Sequence, residues 1–119
     1  MNNKDNAVYE KRIEFWLKEI KKRVAAINPW KVIVFGSAIK GIAKEESDID
    51  IVVILNKPGL SQNYSELLEN KTMVSKTLRD IRKRIPIDLL VFTREEWESL
   101  KNSGSTFFTE IEKEGRIIA

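Results

Sequence analysis

Asp48 and Asp50 stand two residues apart at the head of the apolar run Asp48 to Leu55. Side chains alternate along a strand, so both carboxylates share one face. Two close carboxylates raise each other's pKa unless a cation intervenes. A hard divalent ion such as Mg²⁺ relieves that repulsion, because it prefers carboxylate and phosphate oxygens. Read alone, the pair is more plainly a strand start with two solvent-facing acids. A third acid, Asp88, sits among apolar residues in Pro86 to Phe92. Buried there unpaired, it would lose several kcal/mol of solvation, about the amount that makes a partner obligatory. Positive side chains or a shared metal would serve, and an exposed place on an edge strand would remove the need. Gly36-Ser37 directly follows the run Lys31 to Phe35. Glycine allows a tight turn there, and free backbone N–H groups with the Ser37 hydroxyl could hold phosphate oxygens.

The rest of the composition narrows the chemistry. The 119 residues contain no Cys and no His. A thiolate nucleophile, a Cys/His zinc site and a histidine base are therefore excluded, and no disulfide points to secretion. With 42% hydrophobic and 33% charged residues the composition is that of a folded chain,. A net charge of +3, with both signs mixed along the chain, does not name a nucleic-acid partner, and direct nucleic-acid binding is not expected,. The polar start Met1 to Asn6 leads into no apolar leader, and no run approaches a membrane span of roughly 20 residues. The expected setting is the cytoplasm, without membrane association.

These residues need a scaffold. Ile13, Trp16, Leu17, Ile20, Val24 and Ile27 recur at spacings of three and four, predicting a helix over about 8–27 that Asn28-Pro29 ends,. Strands are expected at 31–35, 48–55 and 86–92, with 38–47 as a connection. Ten linking residues are few for a parallel crossover, so the first two strands should pair antiparallel. A long helix is expected over about 61–84, with Tyr64, Leu67, Leu68, Val74, Leu78 and Ile81 on its apolar stripe. Thr93 with Glu96 reads as a capping box opening a short helix anchored by Trp97 and Leu100. A last helix at about 105–114 stops at Gly115, and 116–118 adds a short strand. The fold class is α/β (α+β), a small mixed β-sheet flanked by helices, in one domain over 1–119.

Gly36-Ser37, ten residues, then Asp48-Ile49-Asp50 resembles the G-S-x10-D-x-D signature of minimal nucleotidyltransferases in the DNA polymerase β superfamily. Asp88 matches that family's third acid, and Glu114-Gly115-Arg116-Ile117-Ile118 is similar to its ending. The resemblance implies the nucleotidyltransferase fold and transfer of AMP (or another NMP) from ATP (or another NTP) to a hydroxyl. It implies two Mg²⁺ ions, with Asp48, Asp50 and Asp88 as catalytic metal ligands and Asp88 helping to deprotonate the acceptor. Gly36 and Ser37 would hold the triphosphate. Lys40 could add charge beside it, or be a solvated loop lysine. Ser47 could orient Asp48, or be an ordinary turn serine. Family members often carry a second basic residue where this chain has Ala38.

Small members of the family often pair with HEPN-domain proteins as toxin–antitoxin modules, and the resemblance implies AMP transfer to a tyrosine of such a toxin. Two alternatives stay open: a non-catalytic antitoxin that occludes its partner, and transfer to a small-molecule hydroxyl. Trp16, Trp30 and Trp97 read as packing residues. Arg79, Arg82, Lys83 and Arg84 read as a solvated helix face.

Overall fold

The computed structural model describes residues 3–40, 48–61 and 63–119. Its first helix, α1 (Asn3–Val24), buries Ile13, Leu17, Ile20 and Val24, one stripe of the expected pattern. The last turn tightens to a 3-10 helix, Ala25–Ile27. Asn28 then takes the left-handed conformation, φ 46° and ψ 61°, which asparagine tolerates better than most residues,. Pro29 prevents the helix from resuming.

Four strands follow the apolar runs: β1 (Lys31–Phe35), β2 (Ile49–Leu55), β3 (Ile87–Thr93) and the short β4 (Arg116–Ile117). They form one sheet in the order β3-β2-β1-β4. β1 pairs antiparallel with β2 and with β4, and β2 pairs parallel with β3. The sheet is mixed, and the short link between β1 and β2 does join antiparallel neighbours.

Alternation along the strands divides two apolar layers. Val32, Val34, Ile49, Ile51, Val53, Ile87 and Leu89 face α1, α3 (Tyr64–Thr77) and α4 (Arg79–Arg82). Ile33, Val52, Ile54, Leu90 and Phe92 face α5 (Arg94–Asn102) and α6 (Thr106–Glu114), which bring Trp97, Phe108 and Ile111. Trp97 is fully buried and donates its indole N–H to Glu112 at 3.1 Å. Its burial, like the partly buried positions of Trp16 and Trp30, agrees with packing roles. The result is a compact α+β fold with a four-stranded mixed sheet, consistent with the nucleotidyltransferase fold.

Three expectations need correction. The helix expected over 61–84 is two helices, broken at Leu78 (φ −106°, ψ 7°). Thr77 donates its hydroxyl to the Val74 carbonyl at 2.7 Å, a local bond that competes with the helical ladder,. The break is silent in the apolar pattern because Val74, Leu78 and Ile81 all stay buried across it. The N-terminal part of that stripe does not reach the core: Tyr64 is 76% exposed, Leu67 45% and Leu68 48%. Residues 38–40 of the expected connection belong to a short helix, α2 (Ser37–Lys40).

Other local signals hold. The Thr93 hydroxyl accepts from the Glu96 N–H at 3.2 Å, and the Glu96 carboxylate accepts from the Thr93 N–H at 2.9 Å. The same hydroxyl donates to the Gly59 carbonyl at 2.6 Å, fastening the loop after β2 to the end of β3.

Candidate active site

The C-terminal end of β1 and the N-terminal ends of β2 and β3 meet at one edge of the sheet. Phe35 lies opposite Asp50 in the β1–β2 ladder, and Asp50 lies opposite Asp88 in the β2–β3 ladder. Residues in register on adjacent strands point to the same face. Asp50 and Asp88 are therefore neighbours on the α5–α6 face, joined by Asp48 from just before β2. Asp48 and Asp88 are exposed, and Asp50 is half-buried.

The electrostatics follow that placement. The Asp50 carboxyl is held above its ordinary pKa, first by burial and then by the negative charges of Asp88 and Asp48,. Asp88 itself corrects one step of the sequence argument. It is exposed on an edge strand, so burial does not oblige it to find a partner. Its place opposite Asp50 is what brings it into the cluster. Among the described residues no three acids are gathered closely enough, as they stand, to hold a metal ion. The chemistry of the set suits a hard cation all the same: three carboxylates, one of them destabilised in its charged form by burial and then by the other two,.

Gly36 shapes the floor of this site. Its φ of 78° is left-handed, and a Cβ at this position would come under 3.0 Å from Asp50 Oδ2. Only glycine lets the turn lie directly against the carboxylate. Ser37 opens α2, whose first turn is closed by the Ile39 N–H on the Gly36 carbonyl at 3.2 Å. Ala38 and Ile39 pack toward the α1 layer. Lys40 ends α2, and Ser47 lies outside the described residues.

A cleft of about 320 Å³ opens beside Asp50. Phe35, Gly36 and Ile39 form one side; Phe107, Glu110, Ile111, Glu114 and Gly115 form the other. The Phe35 and Phe107 rings meet edge to face with centroids 6.1 Å apart. The α6 wall is absent from the sequence reading of the site. Its signal was available: 107, 110, 111 and 114 follow the i, i+3, i+4, i+7 spacing of one helix face. Gly115 also acquires a different reason. Its φ of −70° is not the left-handed stop expected of a C-terminal glycine. A Cβ here would come under 3.0 Å from the Ile111 carbonyl oxygen and Ile33 Cγ2, so glycine allows α6 to turn into β4 against the sheet.

A glycine turn against a strand acid, with a second acid in register, is an arrangement in keeping with the resemblance carried by Gly36-Ser37, Asp48, Asp50 and Asp88. The family model for "Polymerase beta, Nucleotidyltransferase" matches residues 17–119. The chain belongs to the polymerase β nucleotidyltransferase family. The match spans all four strands and both layers of helices, from within α1 to the last residue. General nucleotidyl transfer is the activity this domain supports, and an NTP is its plausible substrate. No curated protein matches the chain. No helix among the described residues is long and apolar enough to cross a membrane.

Proposed function

We propose that this nucleotidyltransferase is a Mg²⁺-dependent enzyme that moves AMP from ATP to a hydroxyl on a protein partner. The observation that carries the reading is the alignment of Asp50 with Asp88 beside the Gly36 turn. Asp48, Asp50 and Asp88 would hold the divalent ions, whose chemistry is charge neutralisation on the phosphates and activation of the attacking oxygen. Gly36 and Ser37 would position the triphosphate, Lys40 would add charge to that site, and Ser47 would orient Asp48. Asp88, exposed and in register with Asp50, would help to take the acceptor proton. Transfer of this kind depends mainly on positioning and charge neutralisation, which a small rigid site can provide.

The acceptor we favour is a tyrosine of a HEPN-type toxin, with this chain as its antitoxin. Support comes from the aromatic lining of the cleft by Phe35 and Phe107. A tyrosine ring could pack edge to face against such residues. The intact acid set favours catalysis over occlusion.

The test uses labelled ATP, Mg²⁺ and the protein encoded next to this one. Label appearing on the partner's tyrosine, and lost with Asp48→Ala and Asp50→Ala, is the expected result. Full protection against the partner's toxicity by both variants, without label, would replace this reading with occlusion. Label on a small-molecule hydroxyl alone would redirect the acceptor.

A further inference from the structure

A second surface lies on the outer side of the α1–α3–α4 layer, on the opposite face of the sheet from the α6 cleft. There α3 and α4 form a groove of about 470 Å³. Five cations line it: Lys71, Lys76, Arg79, Arg82 and Lys83. No acid lines it, and none of the five makes an ion pair with any described residue. Arg82 instead donates to the Ser75 hydroxyl at 2.6 Å. Other cations of the fold are matched: Arg23 pairs with Glu19 and Asp80, Lys101 with Glu98 and Glu112, Arg116 with Glu14. The five exceed the chain's whole net charge of +3, so the rest of the sequence is net acidic. Unpaired like charges held together repel one another, and an anionic partner removes that cost.

The groove is not purely ionic. Leu68 lines one end, and Tyr64 lies one helical turn before it on the same face of α3,. Leu67 and Met73 add exposed apolar surface to that helix. Tyr64, Leu67 and Leu68 are residues that the apolar pattern assigned to the core and the fold leaves in solvent. A phosphate backbone would use the cations and leave the leucine and tyrosine surface wet. A helix with acidic flanks and an apolar stripe would use both.

We propose that this groove docks an acidic amphipathic helix of a protein partner. The site is separate from the acid cleft, so docking does not depend on nucleotidyl transfer and goes beyond it. The probe is a labelled designed peptide of about 20 residues, with Leu at i, i+3, i+4 and i+7 and Glu on the flanks. Fluorescence anisotropy should show saturable binding that weakens with salt. Arg79→Glu with Lys83→Glu should weaken it at least tenfold, and Leu68→Ser about tenfold. All three positions border solvent, and circular dichroism checks that each variant is folded. Asp50→Asn should leave peptide affinity within about twofold; a large loss there would place the peptide in the acid cleft and overturn the proposal. Tighter binding of a single-stranded RNA of about 20 nucleotides, unaffected by Leu68→Ser, would make the groove a phosphate-binding surface and overturn it. Absence of saturable peptide binding would also overturn it.

Discussion

Gly36→Ala is the sharpest perturbation of the proposed site, because three left-handed glycines allow a controlled comparison. Gly36, Gly59 and Gly104 have φ values of 78°, 83° and 87°. An alanine at each pays the left-handed penalty of about 1–2 kcal/mol. It also restricts the unfolded chain similarly at all three, so that contribution cancels between variants. The neighbourhoods differ. A Cβ at Gly59 or Gly104 meets nothing within 4 Å, whereas at Gly36 it collides with Asp50 Oδ2. Relief requires turning the Asp50 carboxylate away from its rotamer, at roughly 0.5–1.5 kcal/mol more. Gly36→Ala should therefore cost about 1.5–3.5 kcal/mol, and Gly59→Ala or Gly104→Ala about 1–2. For a chain of this size each kcal/mol lowers Tm by roughly 3–6 °C. The larger difference is expected in transfer. A carboxylate displaced by about 1 Å can lower the rate about 100-fold. Gly36→Ala should lose that factor at temperatures where it stays folded, and the other two should keep wild-type rates. Urea unfolding gives the stabilities and single-turnover AMP transfer gives the rates. Full transfer activity in folded Gly36→Ala would refute the idea that this turn sets the carboxylate. An equal loss in Gly59→Ala would refute it as well.

Asp50→Asn should raise Tm at neutral pH while abolishing transfer. The sign follows from the raised pKa of Asp50 in the fold. Ionisation costs the native state more than the unfolded state, so stability falls as pH rises through the unfolded value near 4 toward the folded one. The gain from Asp50→Asn should accordingly vanish below about pH 4, and thermal melts across pH check this. Mg²⁺ should raise the wild-type Tm, by the equivalent of about 2.7 kcal/mol at 100 times its Kd, and much less in Asp48→Ala/Asp50→Ala. Thr93→Ala removes the hydroxyl that caps α5 and also donates to the Gly59 carbonyl. It should cost about 1–3 kcal/mol in urea unfolding. Gly115→Ala forces a methyl group against the Ile111 carbonyl and Ile33, and should lower Tm by the equivalent of about 1–3 kcal/mol,.

The sequence by itself determined the parts whose causes are local. Strand positions followed from short apolar β-branched runs, the capping box from Thr93 and Glu96, and the antiparallel β1–β2 pair from the length of its link. The ten-residue spacing between Gly36-Ser37 and Asp48-Ile49-Asp50 carried the family resemblance, since a short fixed connection limits how far two motifs can separate. Register was decided only in three dimensions. Nothing near Asp88 in the chain says that it faces Asp50, because parallel pairing of β2 with β3 is fixed by packing across the intervening helices. The same holds for the cleft, whose second wall comes from α6, some 60 residues beyond Asp50 in the sequence. It holds too for the outer groove. Periodicity shows that Tyr64, Leu67 and Leu68 share the apolar character of the helix, but burial depends on what lies opposite, and there the fold places solvent.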